Sequence, residues 1–175
     1  MTDKVILVDE SDQVLGSMDK LEAHEKGLLH RAFSVFIFND QNELMLQQRA
    51  SGKYHSGGLW TNTCCSHPAP SEKVEDACHR RLIEEMGFDT KLEFVTSFIY
   101  RAELDNDLTE HEFDHVYIGR FNGKPNPNAD EVGGWKFEDM NKIKASMESN
   151  PEFYTVWFRI IFNDVHSYLL RSLEK

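Results

Sequence analysis

The chain is short of cysteine, short of positive charge, and without any long apolar run. Three cysteines among 175 residues, two of them adjacent at 64 and 65, cannot form a disulfide framework. That favours a reducing compartment, and the cytoplasm is the expected location. Lysine and arginine number 19 against 30 acidic residues, for a formal net charge of -11. A phosphate backbone would be repelled, so nucleic acid is not an expected partner. An anionic small substrate would need a local basic cluster to overcome the overall field. No apolar run reaches the roughly eighteen residues of a membrane span. Met1-Thr2-Asp3-Lys4 lacks a basic stretch leading into an apolar one, so no secretory signal is expected. Repeats, low-complexity tracts and long linkers are also missing. What is present is a 40% apolar composition with twelve Phe and three Trp. Residues 1–175 therefore suit one domain with a full core, and a monomer is compatible with that.

Val5–Val8 reads as a short strand. Residues 32–38 (Ala-Phe-Ser-Val-Phe-Ile-Phe) are nearly all apolar, as in a strand buried on both faces. Asn39-Asp40-Gln41-Asn42 is a turn signal, and Leu44–Gln48 is expected to return as the second strand of a hairpin. Glycines 52, 57 and 58 mark a loop before Leu59–Cys65. Ser71 is expected to cap a helix with Glu72 in its first turn, Val74, Ala77, Cys78 and Leu82 forming its apolar stripe, and Gly87 ending it. Phe94–Ala102 and Phe113–Phe121 read as two strands joined by a polar loop at 105–107. Phe137, Met140, Ile143 and Met147 mark a short helix. Pro151 is expected to open the last helix, with Phe153, Val156, Trp157, Ile160, Ile161, Tyr168 and Leu169 as its stripe. Strands and helices mix without regular alternation. The expected fold class is α/β (α+β), a mixed sheet flanked by helices.

The chemistry concentrates in Cys64-Cys65-Ser66-His67-Pro68. On an extended segment Cys65 and His67 share one face and Cys64 takes the other. Cys65 is either a small buried residue or a functional thiol, its acidity tuned by the neighbouring imidazole. Cys64 and Cys78 read as core. Glu110-His111-Glu112 places two carboxylates in the same alternating arrangement, and His24 and His30 add two imidazoles upstream. Together, His24, His30, His67, Glu110 and Glu112 form a donor set suited to manganese, zinc or magnesium. The same carboxylates could instead be the wet face of an edge strand. Tyr100 could donate to one of them as a proton-relay partner. Lys20, Arg49, Lys53, Arg80 and Arg81 are the candidates for a basic cluster. Arg81 stands out because it shares a helix face with Glu85 at the core edge. A metal site beside a reactive cysteine reads as an enzyme.

Residues 66–88 resemble the Nudix box. Glu72, Arg80, Glu84, Glu85 and Gly87 fall in place, while Ser66 stands for the first glycine and Arg81 for the glutamate after the arginine. That glutamate normally helps bind the magnesium ions used to hydrolyse a diphosphate, so a cation there favours holding the diphosphate instead. With 28–34 (Leu-Leu-His-Arg-Ala-Phe-Ser), 58–62 (Gly-Leu-Trp-Thr-Asn), Cys65-Ser66-His67-Pro68 and Tyr100-Arg101-Ala102, almost the whole chain resembles the type I isopentenyl-diphosphate isomerases. The resemblance implies a Nudix-like fold and transposition of a carbon–carbon double bond in a prenyl diphosphate. It assigns Cys65 and Glu112 to opposite faces of the alkene, Tyr100 to Glu112, and Trp157 to the aromatic above the reacting carbons. It makes His24, His30, His67, Glu110 and Glu112 the ligands of a manganese or zinc ion. A magnesium ion on the diphosphate would be held partly through Glu85, and the diphosphate by Lys20, Arg49, Lys53 and Arg81. The mechanism implied is protonation by Glu112 through Tyr100, a carbocation under Trp157, and deprotonation by Cys65 as thiolate. A Nudix hydrolase and a non-catalytic metal-binding domain are the rivals. The first would release phosphate, and the second would bind metal without turnover.

Overall fold

The computed structural model describes residues 3–53 and 55–173. Its frame is a nine-stranded sheet of β1 (Lys4–Val8), β2 (Val14–Asp19), β3 (His30–Phe38), β4 (Leu44–Arg49), β5 (Trp60–Thr61), β6 (Cys64–Ser66), β7 (Leu92–Glu103), β8 (Thr109–Arg120) and β9 (Val132–Glu138). Four helices accompany it: α1 (Lys20–Lys26), α2 (Val74–Met86), α3 (Met140–Ser149) and α4 (Val156–Leu173). This is the mixed α/β class that the sequence suggests.

The apolar run of β3 lies at the centre. It pairs in parallel with β8 from His30–Glu112 to Phe38–Arg120, while β7 pairs antiparallel with β8. Because strand side chains alternate, β3 feeds two cores. Phe36 and Phe38 join Val116, Phe158, Ile161 and Phe162 under α4. Phe33, Val35 and Ile37 join Met45, Cys64, Ala77, Cys78 and Leu82 under α2. Cys64 and Cys78 are thus core, as their spacing suggests.

Several expectations need correction. The β3–β4 hairpin pairs only at Phe38–Leu44, because β6 takes the flank of β3 at residues 33–35. The Thr63 hydroxyl fills the gap, accepting from Ile37 N at 3.0 Å and donating to Met45 O at 2.6 Å. β4 pairs instead with β9 and β5. Helix α2 begins at Val74 with Lys73 at its cap position, not at Ser71. Ser71 has a left-handed backbone (φ 70°), and Glu72 turns back to accept from Ala69 N at 2.8 Å and from Arg80. Phe137 belongs to β9, so α3 starts later, at Met140 behind an Asp139 side-chain cap. Pro151 opens a separate 3-10 turn, Pro151–Phe153, and α4 starts at Val156. Phe153 and Ile160 are exposed, so the buried stripe of α4 runs through Trp157, Phe158, Ile161, Phe162, Val165 and Leu169. Gly87 ends α2 with φ 73°, where a side chain would strike the backbone of Asn126. Among the described residues, no helix is long and apolar enough to cross a membrane.

Candidate active site

Sheet register sets the first row of the site. Tyr100, Glu112 and His30 are direct cross-strand partners on β7, β8 and β3. The Tyr100 hydroxyl donates to Glu112 Oε2 at 2.6 Å, and His67 Nε2, just past β6, lies 2.8 Å from Glu112 Oε1. His24 arrives from α1, a seven-residue helix capped by the Asp19 carboxylate and closed by Gly27 in the left-handed conformation. That tight turn brings the rings of His24 and His30 to 4.8 Å.

Both imidazoles are held by the backbone. His24 Nδ1 donates to Lys20 O at 2.7 Å and His30 Nδ1 to Leu28 O at 2.8 Å. Each Nε2 is then left as a lone pair, buried and without a hydrogen-bond partner. One donor atom each from His24, His30, His67 and Glu112 lies within 4.8 Å of the others. Glu110 Oε2, also buried and unsatisfied, sits 3.2 Å from His24 Nε2 without hydrogen-bonding geometry. Orphaned nitrogen and oxygen donors converging on one point fit a divalent cation.

The electrostatics follow from burial. Burial lowers His67 to about 3, which leaves its ring neutral. Burial, with the Glu112 charge beside it, pushes Glu110 up to about 7. Burial also opposes ionisation of Glu112, but that carboxyl is held well below the usual range, its charged form favoured by His67 Nε2 at 2.8 Å.

Cys65 faces the same cavity, of about 50 Å³, together with Glu112, His67, Arg49, His55 and Trp157. Burial pushes its thiol up to about 12, which favours the protonated form. Trp157 stands on the first turn of α4. Its indole Nε1 donates to Thr61 Oγ1 at 3.0 Å, and the Arg49 guanidinium lies 5.3 Å from its ring centre.

Around α2 the charges neutralise one another. Arg80 bonds Glu72 at 2.7 and 2.8 Å and reaches Glu84 at 3.2 Å. Arg81 bonds Glu84 at 2.8 Å and Glu85 at 2.6 Å. Glu85 also accepts from Gln47 at 2.8 Å. Lys20, Arg80 and Arg81 line a larger groove of about 540 Å³ that shares Ser66 and His67 with the small cavity.

The NUDIX domain family matches residues 28–158. Isopentenyl-diphosphate Delta-isomerase 2 of Photorhabdus laumondii is 52% identical over 163 residues, covering 93% of this chain and 92% of that protein. The enzyme of the same name from Aromatoleum aromaticum is 50% identical over 174 residues, covering 99% and 91%. This chain belongs to the isopentenyl-diphosphate Delta-isomerases. Solved structures resemble the isomerase chain in fold alone. DR0079 from Deinococcus radiodurans has a TM-score of 0.70 at 20% identity, covering 83% of this chain and 89% of that one. A MutT protein from Methanosarcina mazei has 0.66 at 17% identity, covering 80% and 94%.

In this isomerase chain the residues singled out from sequence fall into three groups. His24, His67, Glu110, Glu112 and Cys65 line one cavity, with His30 and Tyr100 beside Glu112 and with Trp157, Arg49 and Lys20 at the cavity wall. Arg81 lies at the neighbouring groove. Glu85 is not brought into the histidine cluster, and Lys53 is paired with Glu131. Sequence reasoning missed His55, which is 7% exposed, with Nε2 3.9 Å from Glu110 and its ring 5.8 Å from that of Trp157. A single histidine in a glycine-bounded loop carries no periodic signal. It also missed Asp114, 2% exposed and bonded by Ser34 Oγ at 2.7 Å. Asp114 continues the alternation of Glu110 and Glu112, so the signal for it was present.

Proposed function

We propose that this chain interconverts isopentenyl diphosphate and dimethylallyl diphosphate, with Cys65 and Glu112 as the two proton carriers. The observation that carries this reading is that both side chains line one small cavity, Glu112 tied to Tyr100 at 2.6 Å. A proton added to the terminal carbon of the alkene leaves a tertiary cation. Loss of a proton from the carbon on the diphosphate side places the double bond anew. Burial favours the protonated Cys65 thiol while the Glu112 carboxyl is held low, so in this reading one carrier starts loaded and the other empty. Their roles exchange in the reverse direction. The Trp157 ring face stabilises the cation by up to ~2 kcal/mol once water is excluded.

His24, His30, His67, Glu110 and Glu112 would hold a manganese or zinc ion, which supplies Lewis acidity at Glu112 when bound. Glu85 would share itself between Arg81 and a magnesium ion on the diphosphate. Lys20, Arg49, Lys53 and Arg81 take up the anionic end, against an acidic protein that otherwise repels it. Residues 1–175 act as one domain, with no nucleic-acid partner, and the unpaired cysteines suit the cytoplasm.

Proton NMR with isopentenyl diphosphate, magnesium and manganese in deuterated water tests this. Dimethylallyl diphosphate carrying deuterium is the expected product. Cleavage of the diphosphate without a new alkene signal would make the chain a hydrolase, and metal binding without any turnover would make it a binding domain.

A further inference from the structure

A buried chain of side-chain hydrogen bonds runs behind the cavity, from the wall formed by Trp157 to the strand that carries Cys65. Thr61, Asn62 and Thr155 are fully buried, and Trp157 is 5% exposed. Thr61 Oγ1 accepts from Trp157 Nε1 at 3.0 Å and from Thr155 Oγ1 at 3.0 Å, and it donates to Asn62 Oδ1 at 2.9 Å. A hydroxyl has two lone pairs and one proton, so this one is saturated. Its single proton fixes the orientation of the Asn62 amide. Asn62 Nδ2 then donates to Cys64 O at 2.9 Å and Val35 O at 3.2 Å. The Cys64 carbonyl belongs to the peptide unit that leads directly into Cys65.

Thr61 also sits where α4 meets the sheet. Thr155 N bonds Trp60 O at 3.0 Å, and Trp60 and Tyr154 form an isolated bridge. The indole is therefore set by its contact with Thr61 as well as by its own helix.

We infer that Thr61 is a positioning residue of the isomerisation: its hydroxyl registers the Trp157 indole against the Cys65 thiol. This rests on the reading that places Trp157 and Cys65 at the reacting carbons. Thr61 is fully buried and is not among the residues that line the cavity. It acts by holding two groups that approach the same alkene, and a displacement of about 1 Å at such groups can cost on the order of a hundredfold in rate.

The test uses Thr61→Val, which keeps the shape and removes the hydroxyl, and Thr61→Ser, which restores it. Thr61→Val is expected to lower kcat by on the order of ten- to a hundredfold with KM changed less than about threefold, and Thr61→Ser to stay within about threefold of the parent. The chain has three tryptophans and hence three indole N–H signals in a nitrogen–proton NMR correlation. The signal lost in Trp157→Phe identifies Trp157; it should shift upfield in Thr61→Val and hold its place in Thr61→Ser.

The deciding measurement is the double variant. Phenylalanine has no N–H to hold, so Thr61→Val on the Trp157→Phe background should cost clearly less further kcat than in the parent, leaving only the share carried through Asn62 to Cys65. An undiminished loss on that background overturns the inference while leaving the proposed function standing. Full activity in Trp157→Phe alone would remove Trp157 from the reacting carbons, and the inference with it. If Thr61→Val does not fold, Thr61→Cys, with a poor acceptor of similar size, carries the same expectations.

Discussion

Two regions of this molecule present clustered carboxylates, and they are prepared in opposite ways. On α2 and the turn before it, each of Glu72, Glu84 and Glu85 is paired with a guanidinium before any ligand arrives. In the histidine cluster the Nδ1 atoms of His24 and His30 are tied to the backbone while both Nε2 atoms stay unpaired. The helix offers neutralised charge and a guanidinium for an anion. The cluster offers lone pairs for a cation. A single departure from the Nudix box, Arg81, produces much of this difference, since it binds the two carboxylates that follow it.

The contrast can be broken or sharpened by experiment. The largest effect is expected from Cys65→Ala or Glu112→Gln, each lowering kcat by about a hundred- to ten-thousandfold while the circular dichroism spectrum is retained. Near-full activity in Cys65→Ala would end the two-carrier reading. Alkylation of Cys65 in the metal-free protein at pH 8 should run about two to three orders of magnitude slower than for a free cysteine, because the thiolate is the nucleophile and the pKa is raised to about 12. The rate should climb with pH well beyond 9, where a free thiol levels off; mass spectrometry of the labelled peptide reads this. Calorimetric titration with manganese or zinc should show His24→Ala weakening binding by at least about ten- to a hundredfold, with Glu84→Gln binding as the parent does. Equal losses in the two variants would erase the distinction between helix and cluster. Arg81→Glu should raise KM for isopentenyl diphosphate by about tenfold or more, from the loss of a charged hydrogen bond. The smallest effect concerns Glu72, whose carboxyl lies below the ordinary 4.5 because Arg80 bonds it. Its contribution is present above that pH and lost as pH falls through the lowered folded value. Glu72→Gln should flatten the acid limb of a denaturation series by less than about 1 kcal/mol.

What the sequence made legible was whatever carries a strong period. The β3 run and the apolar stripe of α4 announce themselves, and their burial agrees with the reading apart from Phe153 and Ile160. β2 did not, because most of its residues are exposed and nothing alternates. β9 was hidden by Gly133-Gly134 and by half-buried side chains. α1 is too short to show a stripe, yet it delivers His24. The donor types of the site were readable, but their convergence depends on the Gly27 turn and on the parallel pairing of β3 with β8, which link residues far apart in the chain. Glu72 was misplaced because its carboxylate prefers Arg80 and the Ala69 amide to the helix dipole.

Strand β6 pairs with β3 at three positions only, with Ser34 opposite Cys65. A slip of one residue in so short a ladder would exchange its two faces. Because residues 64 and 65 are both cysteine, the slipped strand would still present a thiol to the cavity and a thiol to the core. It would set Ser66 where His67 now meets Glu112. The strand is thus degenerate for sulfur and not for nitrogen: the thiol cannot report its own misalignment, and the imidazole two residues on is the proofreader of its register.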